Sequence, residues 1–347
     1  MIKIFSDRAY LSQDEWHAIL LYPFWGKNED KNDRGRYDQY EKIGGQFFQM
    51  TTLDEADIAI LPQRWERVIK DLHKKKRAED FLEKARKNNK PSIIFYWSDF
   101  DDDIPYNDII VFRTSLYQSS RRPYEFAMPA WSEDFVSSYL EGKLPIRVKQ
   151  KKPVVGFCGL AGPAKKSRFM DGKEYLRRLL FRLGIHRYGQ AETLTAHQFR
   201  TKALQILSKS KQIETNFIVR DRFLGGGASF SERLEYVQNM NNSDYVLCAR
   251  GVGNFSYRLY ETLSCGRIPV FINTDCVLPY DSEINWKDYC VWVEAGEINR
   301  IADKVIEFHE RISEQEFLEI QRRCRALWEE YITPEGFFKN FYRHFDR

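Results

Sequence analysis

The first part of the chain alternates short apolar runs with longer, mostly polar stretches. Five runs rich in β-branched or aromatic residues are bounded by polar or turn residues and predict strands: Ile2–Phe5, Gln46–Met50, Ile58–Leu61, Ser92–Trp97 and Asp108–Phe112. Between the third and the fourth run, Glu66–Asn88 carries apolar residues at helical spacing. Strands that alternate with helices predict a parallel sheet covered by helices on both faces.

The same pattern restarts after a basic, proline-flanked stretch, Lys143–Pro153, which follows a predicted helix at Ser132–Leu140. The predicted strands of this second part are Val154–Cys158, Ile185–Tyr188, Thr215–Val219, Asp244–Cys248, Ile268–Ile272 and Tyr289–Val293. The predicted helices between them are Lys173–Leu183, Ala196–Ser208, Phe230–Asn239 and Tyr257–Ser264. A second α/β unit is therefore expected.

The C-terminal part reads as helices only. Ile298–Glu310 and Glu314–Tyr331 are amphipathic, Ser313 and Glu316 have the spacing of a capping box, and Thr333-Pro334 starts a last short helix. The predicted fold is α/β, with two Rossmann-like doubly wound domains at 1–148 and 149–312 that face a cleft. Helices of 313–347 are expected to pack back toward the first domain.

Composition narrows the protein class. The 347 residues are 43% hydrophobic and 15% aromatic, which excludes a disordered chain, and no apolar run approaches the roughly 18 residues of a membrane span. The N-terminus enters a strand directly and has no secretory signal, so a cytoplasmic protein is expected. Six cysteines without a C-x-x-C pair predict buried thiols, and no metal site is expected.

Charge is distributed unevenly along the chain. Residues 151–258 hold 19 Lys and Arg against 8 Asp and Glu, a net charge of +11, whereas 1–150 carry −1 and 259–347 carry −6. The middle segment would attract an anionic ligand. Basic residues on surface helices are commonly just solvated, and that alternative accounts for at least half of these charges.

The most informative stretch is a strand, a glycine-containing loop and a helix at 245–264. Gly251 and Gly253 would let the backbone approach a ligand, and Ser256 would cap the helix or donate to an anion. Arg258 in the first turn could hold phosphate oxygens, and Glu261 one turn on could accept two ribose hydroxyls. Alternatively, Arg258 and Glu261 pair with each other on the helix.

A second loop offers weaker signals. Arg220 and Arg222 precede the glycine-rich Phe223–Ser229, which either approaches a phosphate or is an ordinary flexible connection. Both arginines could meet a nucleotide or an anionic acceptor.

Several motifs together resemble one known family. They are Ser243–Cys248, Ser256-Tyr257-Arg258 with Glu261, Cys265-Gly266, Ile268-Pro269-Val270, Val277–Tyr280, Asn285-Trp286 and Gln321-Arg322-Arg323. In order and spacing they resemble the donor-binding half of the exostosin family, glycosyltransferase family 47. The resemblance implies a GT-B architecture and inverting transfer of a sugar from a nucleotide sugar, mostly a UDP-sugar, to a hydroxyl of a glycan or lipid-linked acceptor.

Within this resemblance the donor would be held by residues of the second domain. They are Arg168, Arg220, Arg250, Gly251, Gly253, Asn254, Ser256, Arg258 and Glu261. Family members often have proline before the glycine of the donor loop, where this chain has Ala249-Arg250, which adds a cation beside the expected diphosphate. The membrane anchor and stem of eukaryotic members are also missing, as expected of a compact bacterial or viral protein that is cytoplasmic or peripheral at the inner membrane face.

No D-x-D motif is placed to hold a metal beside the diphosphate. Asp101-Asp102-Asp103 lies in the wrong half, and a solvated loop is the expected structure there. We therefore predict metal-independent chemistry without a cofactor, in which Arg258, helped by Arg250 or Arg168, stabilises the leaving diphosphate.

The catalytic base is expected in the first domain. Asp99, just past the strand Ser92–Trp97, is the leading candidate, followed by Glu66 and Asp38. Asp99 could equally be a turn or helix cap.

Two other function classes remain open at this point. A non-catalytic nucleotide- or carbohydrate-binding protein would keep the donor loop and lack a base. A nucleic-acid-binding protein would interleave aromatic and basic residues on one surface, which the pattern does not favour. A dinucleotide oxidoreductase is disfavoured because no G-x-G-x-x-G follows either opening strand.

Overall fold

The structure, a computed structural model, describes residues 1–13, 15–161, 176, 179–180, 196–222 and 227–345. The chain divides into two compact units. Unit 1 comprises Met1–Trp131, Val277–Tyr280 and Glu330–Arg347, and unit 2 comprises Ser132–Cys276 and Asp281–Glu329. The units are thus interleaved along the chain, whereas the sequence pattern predicted consecutive ranges.

The strands are β1 (Ile2–Phe5), β2 (Phe48–Met50), β3 (Ile58–Ile60), β4 (Ser92–Tyr96), β5 (Ile110–Arg113), β6 (Glu125–Ala127), β7 (Val154–Leu160), β8 (Glu214–Arg220), β9 (Tyr245–Cys248), β10 (Ile268–Asn273) and β11 (Val291–Glu294). The helices of the described residues are α1 (Tyr22–Trp25), α2 (Asp38–Ile43), α3 (Trp65–Val68), α4 (Leu72–Lys87), α5 (Phe135–Tyr139), α6 (Ala196–Lys209), α7 (Phe230–Asn241), α8 (Tyr257–Ser264), α9 (Ile301–Arg311), α10 (Glu314–Leu327) and α11 (Pro334–Lys339).

Unit 1 is built on a six-stranded parallel sheet in the order β2-β1-β3-β4-β5-β6. The five strands predicted from the sequence are confirmed, and β6 was missed. Its three residues, Glu125-Phe126-Ala127, lack β-branched side chains. Glu125 is buried because its carboxylate forms an ion pair with an arginine of β5. Such a strand has no sequence signature.

The helix predicted at Glu66–Asn88 is two helices, because a cap interrupts it. The Asp71 carboxylate accepts hydrogen bonds from the backbone N–H groups of His73 and Lys74 and so starts α4. The last segment of unit 1 begins as predicted, with Thr333 capping α11 at Pro334. Phe338 of α11 then stacks on Tyr40 with ring centroids 4.4 Å apart.

Unit 2 is built on a five-stranded parallel sheet in the order β11-β10-β9-β7-β8. The chain runs from β7 to β8 on one side and then returns to build β9, β10 and β11 on the other. The strand order therefore reverses between β7 and β9, and ligands of doubly wound sheets bind beyond the carboxyl ends of the strands at such a point. The predicted α/β class, with two doubly wound parallel sheets, is confirmed.

Most predicted elements of unit 2 occur where the pattern indicated. The boundaries of α8 are those predicted, and the capping box of Ser313 and Glu316 is present at the start of α10. The predicted helix Lys173–Leu183 lies largely, and the predicted strand Ile185–Tyr188 entirely, outside the described residues. The six cysteines are free thiols, and all except Cys276 are buried.

Candidate functional site

The loop between β9 and α8 is held by its own polar groups. The Gly251 N–H donates to the Phe255 carbonyl at 3.1 Å. Asn254 is fully buried, and its amide donates to the Asp275 carbonyl and accepts from the Thr274 hydroxyl. Its side chain thus ties this loop to the turn after β10, whereas the sequence had assigned it to donor binding.

Arg250 is buried against the same loop. Its Nη2 donates to the Val252 carbonyl at 2.6 Å and its Nε to the Gly251 carbonyl at 3.3 Å. Gly253 is buried as well. The guanidinium of Arg250 therefore shapes the loop as well as adding charge to it.

Arg258 projects from the first turn of α8 onto the end of β7. Its Nη2 donates to the Cys158 carbonyl at 2.8 Å, and its guanidinium lies 4.4 Å from the centroid of the Phe157 ring. Gly159 has a φ of +153°, and a Cβ at this position would lie 2.6 Å from Nη2 of Arg258. Only glycine permits this approach. In the described part of the chain, no carboxylate forms a salt bridge with Arg258.

Arg258 and Glu261 are joined through a third side chain. The Tyr236 hydroxyl donates to Oε2 of Glu261 at 2.6 Å and accepts from Nε of Arg258 at 3.3 Å. The sequence alternative, a direct pair between the two helix residues, is therefore not what forms. Burial and then the Glu261 charge raise the pKa of Tyr236 well above its usual value, which keeps the phenol a donor.

The second oxygen of Glu261 has a weaker partner. Oε1 lies 3.8 Å from Nη1 of Arg233, which itself pairs with Glu133. Glu261 is 8% exposed. Among the described residues, no donor is within hydrogen-bond distance of this oxygen, which suits an acceptor for a ligand hydroxyl.

Ser256 is the N-cap of α8, but its hydroxyl accepts no hydrogen bond from the helix backbone. The orphan N–H groups of the first turn are therefore not capped by this side chain. A helix N-terminus in this state favours an anion.

The sequence analysis missed Arg200, which lies in the same candidate site. It belongs to α6, and its guanidinium donates to the Leu160 carbonyl at 3.4 Å and to the Arg250 carbonyl at 2.8 Å. A Cβ on Gly251 would lie 3.9 Å from its Nη2. Burial, followed by the charges of Arg258 and Arg250, lowers the pKa of Arg200 to about 10.

The remaining predicted arginines are placed differently. Arg220 ends β8 and pairs with Glu235, and Arg222 pairs with Glu232. Arg168 lies outside the described residues, as does 223–226 of the glycine-rich loop.

The structure places the three candidate bases in unit 1 as follows. Asp99 follows β4 and is exposed. Glu66 accepts from Nε of Arg64 at 2.6 Å and from the Trp97 N–H at 3.1 Å, and Asp38 pairs with Lys27. Glu66 and Asp38 are thus engaged in the fold.

The acidic run after Asp99 was expected to be a solvated loop; it is a loop in which Asp103 is exposed, but Asp101 is not solvated. Asp101 is buried, Asp102 accepts from the Tyr96 hydroxyl at 2.7 Å, and Asp103 pairs with Arg122. Polar and cationic groups around β4 and β5 compensate these carboxylates, which sequence spacing does not reveal. Over the described residues, no three His, Cys, Asp or Glu side chains are grouped to hold a metal ion.

A search for membrane spans in the described segments finds no helix with enough length and apolar character to cross a bilayer.

Together, these contacts define the class of the protein: an α/β protein with a cluster of arginines at the switch point of a doubly wound sheet. Comparison with known proteins gives a family model that matches part of the chain. The family model of the Exostosin GT47 domain matches residues 179–307. The resemblance to the exostosin family predicted from the sequence is confirmed.

The similar proteins include an exostosin and a probable glucuronosyltransferase. Exostosin-1 of Drosophila melanogaster is 24% identical over 50% of this chain and 23% of its own length. A probable glucuronosyltransferase 47 A of Physcomitrium patens is 37% identical over 25% of this chain and 18% of its own length. The chain thus spans less than a quarter of either relative.

Among solved structures, a glycosyltransferase of Rickettsia africae is 12% identical with a TM-score of 0.38. The match covers 92% of this chain and 84% of that one.

Proposed function

We propose that this chain is an inverting glycosyltransferase that moves a sugar from a nucleotide sugar to an acceptor hydroxyl. The observation that carries the proposal is Arg258, a guanidinium without a carboxylate partner among the described residues. It is fixed at the switch point of unit 2 by the Cys158 carbonyl and the space beside Gly159. The similarity of residues 179–307 to the GT47 domain supports it.

The donor is a nucleoside diphosphate sugar, with UDP as the expected nucleotide. Arg258 and the uncapped N-terminus of α8 would bind diphosphate oxygens, and Glu261 would accept hydroxyls of the ribose. Tyr236 links the Arg258 and Glu261 side chains by hydrogen bonds. The contact to the diphosphate and the contact to the ribose would therefore be positioned by the same three side chains. Arg250 keeps the loop in place through its carbonyl contacts.

In the reaction, the acceptor oxygen forms a bond to the anomeric carbon while the bond from that carbon to the phosphate oxygen breaks. The electron pair of the broken bond goes to the leaving diphosphate, whose added charge Arg258 stabilises. The proton of the acceptor hydroxyl goes to a base, assigned to Asp99. No metal and no cofactor besides the sugar donor enter this scheme.

The acceptor is assigned to the class of glycan or lipid-linked oligosaccharide hydroxyls, and a lipid-linked acceptor would place the protein peripherally on a membrane. Asp99 is exposed, as a base that meets a bulky acceptor must be.

A nucleotide-release assay against a panel of nucleotide sugars and glycan acceptors tests the proposal. Turnover with at least one donor is expected, and Arg258→Ala should lower it a hundredfold or more, the scale of losing one transition-state donor. The matched control is Arg300→Ala, which removes an exposed arginine of unit 2 paired with Glu307. Binding of nucleotides without release from any donor would favour a nucleotide-binding protein instead.

A further inference from the structure

The turn that joins α3 to α4 in unit 1 presents apolar side chains to the solvent. Leu72, the first residue of α4, is 83% exposed, the highest value among the large apolar side chains of the described chain. Ile69 in the same turn is exposed as well. The Asp71 carboxylate accepts from two backbone N–H groups of α4, so this cap fixes the backbone that holds Leu72 at the surface.

A tryptophan lies beside this turn. Glu15 forms a salt bridge with Lys74 of the first turn of α4 at 3.0 Å. The guanidinium of Arg67 in α3 lies 5.3 Å from the centroid of the Trp16 ring, which is partly exposed. A single exposed apolar side chain is ordinary on a protein surface, whereas here an aromatic ring adjoins two exposed aliphatic side chains.

The charge around the turn is strongly positive. Residues 64–77 hold seven Lys and Arg against two Asp and Glu, a net charge of +5. Three of these cations have carboxylate partners: Arg64, Lys74 and Lys76. Among the described residues, no carboxylate forms a salt bridge with the other four, which are Arg67, Lys70, Lys75 and Arg77. These four would attract an anionic surface.

The combination of apolar and basic side chains indicates the kind of partner. A nucleic acid requires cations and aromatic stacking partners, and it gains little from an exposed leucine. An anionic phospholipid bilayer uses all the groups present: aliphatic side chains insert toward the acyl chains, lysines and arginines meet the phosphates, and tryptophan lies between them. The composition of the turn therefore favours a lipid surface.

The turn is also continuous with the carboxyl edge of the unit 1 sheet. The Arg64 guanidinium lies 5.5 Å from the ring centroid of Trp16 and 5.1 Å from that of Trp97. Trp97 directly follows β4, and Asp99 comes two residues later. The exposed turn and the base assigned to the acceptor thus lie on neighbouring parts of unit 1.

We propose that unit 1 binds the anionic phospholipid face of a membrane through a docking surface formed by Trp16, Arg67, Ile69, Lys70, Leu72 and Lys75. The aliphatic side chains enter the outer part of the acyl region, and the cations contact the lipid phosphates. The inference rests on the proposed function in one respect, because a bilayer at this surface would hold a lipid-linked acceptor near Asp99.

Co-sedimentation of the full chain with increasing amounts of vesicles tests the docking surface. Vesicles of phosphatidylcholine with about one-third phosphatidylglycerol should bind the wild type about tenfold or more tightly than phosphatidylcholine alone, and salt should weaken this binding. The double variant Lys70→Gln, Lys75→Gln should bind about 25-fold more weakly, about fivefold for each charge near the surface. Arg86→Gln with Lys87→Gln, the same charge change at the other end of α4, should stay within about twofold.

Leu72→Gln distinguishes a membrane from other anionic partners, because it changes no charge. It should weaken binding to the anionic vesicles about tenfold, since the leucine side chain no longer leaves the water. Tyr124→Gln, at an exposed position elsewhere in unit 1, is the control and should bind like the wild type. Equal binding of Leu72→Gln and the wild type would overturn the membrane assignment and indicate a nucleic acid or an acidic protein.

Turnover with a short free glycan acceptor separates this inference from the proposed function. The docking-surface variants should keep wild-type turnover, because none of the changed residues belongs to the donor site or is the assigned base. A wild-type protein that transfers sugar and does not bind anionic vesicles would overturn the docking surface and leave the proposed function intact. One that binds these vesicles and releases nucleotide from no donor would support the docking surface and overturn the proposed function.

Discussion

Two arginines of unit 1 and two of unit 2 differ in the partners of their guanidinium groups. In unit 1, Arg113 is fully buried and lies 2.9 Å from the carboxylate of Glu125, and Arg122 pairs with Asp103. In unit 2, Arg200 and Arg258 converge on the end of β7, where each donates to backbone carbonyls. The two arginines of unit 1 thus have carboxylate partners, whereas no described carboxylate forms a salt bridge with Arg200 or Arg258.

The carboxyl edges of the two sheets show the same contrast. At this edge of unit 1, Arg64 is stacked between the rings of Trp16 and Trp97, at 5.5 and 5.1 Å, and is neutralised by Glu66. The equivalent edge of unit 2 has Gly159 where a side chain would block Arg258. The arginine at the carboxyl edge of the unit 1 sheet has a carboxylate partner, whereas Arg258 at the edge of the unit 2 sheet contacts backbone carbonyl and ring groups. For this reason we assign the anionic donor to unit 2.

The largest expected effect concerns the reaction role assigned to unit 1. Asp99→Asn should lower kcat by about a hundredfold to ten-thousandfold, because the amide cannot take the proton from the hydroxyl of the sugar acceptor. The acidic limb of the pH profile of kcat should also disappear. The measurement is kcat between about pH 5 and pH 9. UDP affinity should stay at the wild-type value, and a wild-type pH profile in the variant would remove Asp99 from the mechanism.

The second effect tests the compensated charges. Arg113→Met leaves Glu125 buried without its ion-pair partner, and should lower the free energy of unfolding of unit 1 by about 3–5 kcal/mol. Urea titration followed by circular dichroism measures it. The double variant with Glu125→Leu should recover most of the loss, since both charges are then absent. Equal stability of wild type and the single variant would contradict the contrast between the units.

The third effect separates sugar contacts from phosphate contacts within unit 2. Glu261→Gln should weaken UDP binding about tenfold, because a charged acceptor for the ribose hydroxyls is lost. Pyrophosphate, which has no ribose, should bind the variant as tightly as wild type. Titration calorimetry with both ligands checks this, and an equal loss for both would assign Glu261 to the phosphate contacts or to folding.

The smallest effect is a pH dependence of unit 1. His17 packs edge-on against the rings of Tyr22 and Trp25, and burial lowers its pKa from 6.5 to about 4. As the pH falls, His17 of the unfolded chain therefore takes up a proton near pH 6.5, whereas His17 of the folded chain takes it up only near pH 4. Unit 1 should lose stability as the pH falls from 6.5 to about 4.

Thermal melts across this range should show a flatter slope for His17→Gln than for wild type. His73→Gln, on the exposed side of α4, is the control and should keep the wild-type slope. A slope that His17→Gln leaves unchanged would show that other groups govern the acid response.

Elements that rest on local chemistry could be predicted from the sequence. The boundaries of α8, the capping box at Ser313 and the proline start of α11 all depend on neighbours within four residues. At Asp71 a helix cap lies within a longer stretch of apolar residues at helical spacing. The spacing predicts one helix, whereas the cap divides the stretch into two. The strand β6 was missed because its burial depends on Arg113, which lies in another strand.

The candidate site divides in the same way. Arg258 and Glu261 could be found because they lie one turn apart beside a glycine loop, whereas their link through Tyr236 required α7 to pack beside α8. Arg200 has no local signal: in the sequence it is one more basic residue of an amphipathic helix. Its place at the end of β7 is visible only in the structure, where its guanidinium donates to the Leu160 carbonyl.

The most direct test of the account is hydrogen–deuterium exchange of the wild-type protein with and without UDP, read by mass spectrometry. We expect UDP to slow exchange most in the peptides that contain 157–160 and 250–258 of unit 2. The loop 61–64, at the carboxyl edge of the unit 1 sheet, should change less. Slower exchange confined to unit 1, or no change at saturating UDP, GDP, CDP and ADP, would contradict the assignment of the donor site to the uncompensated arginines of unit 2.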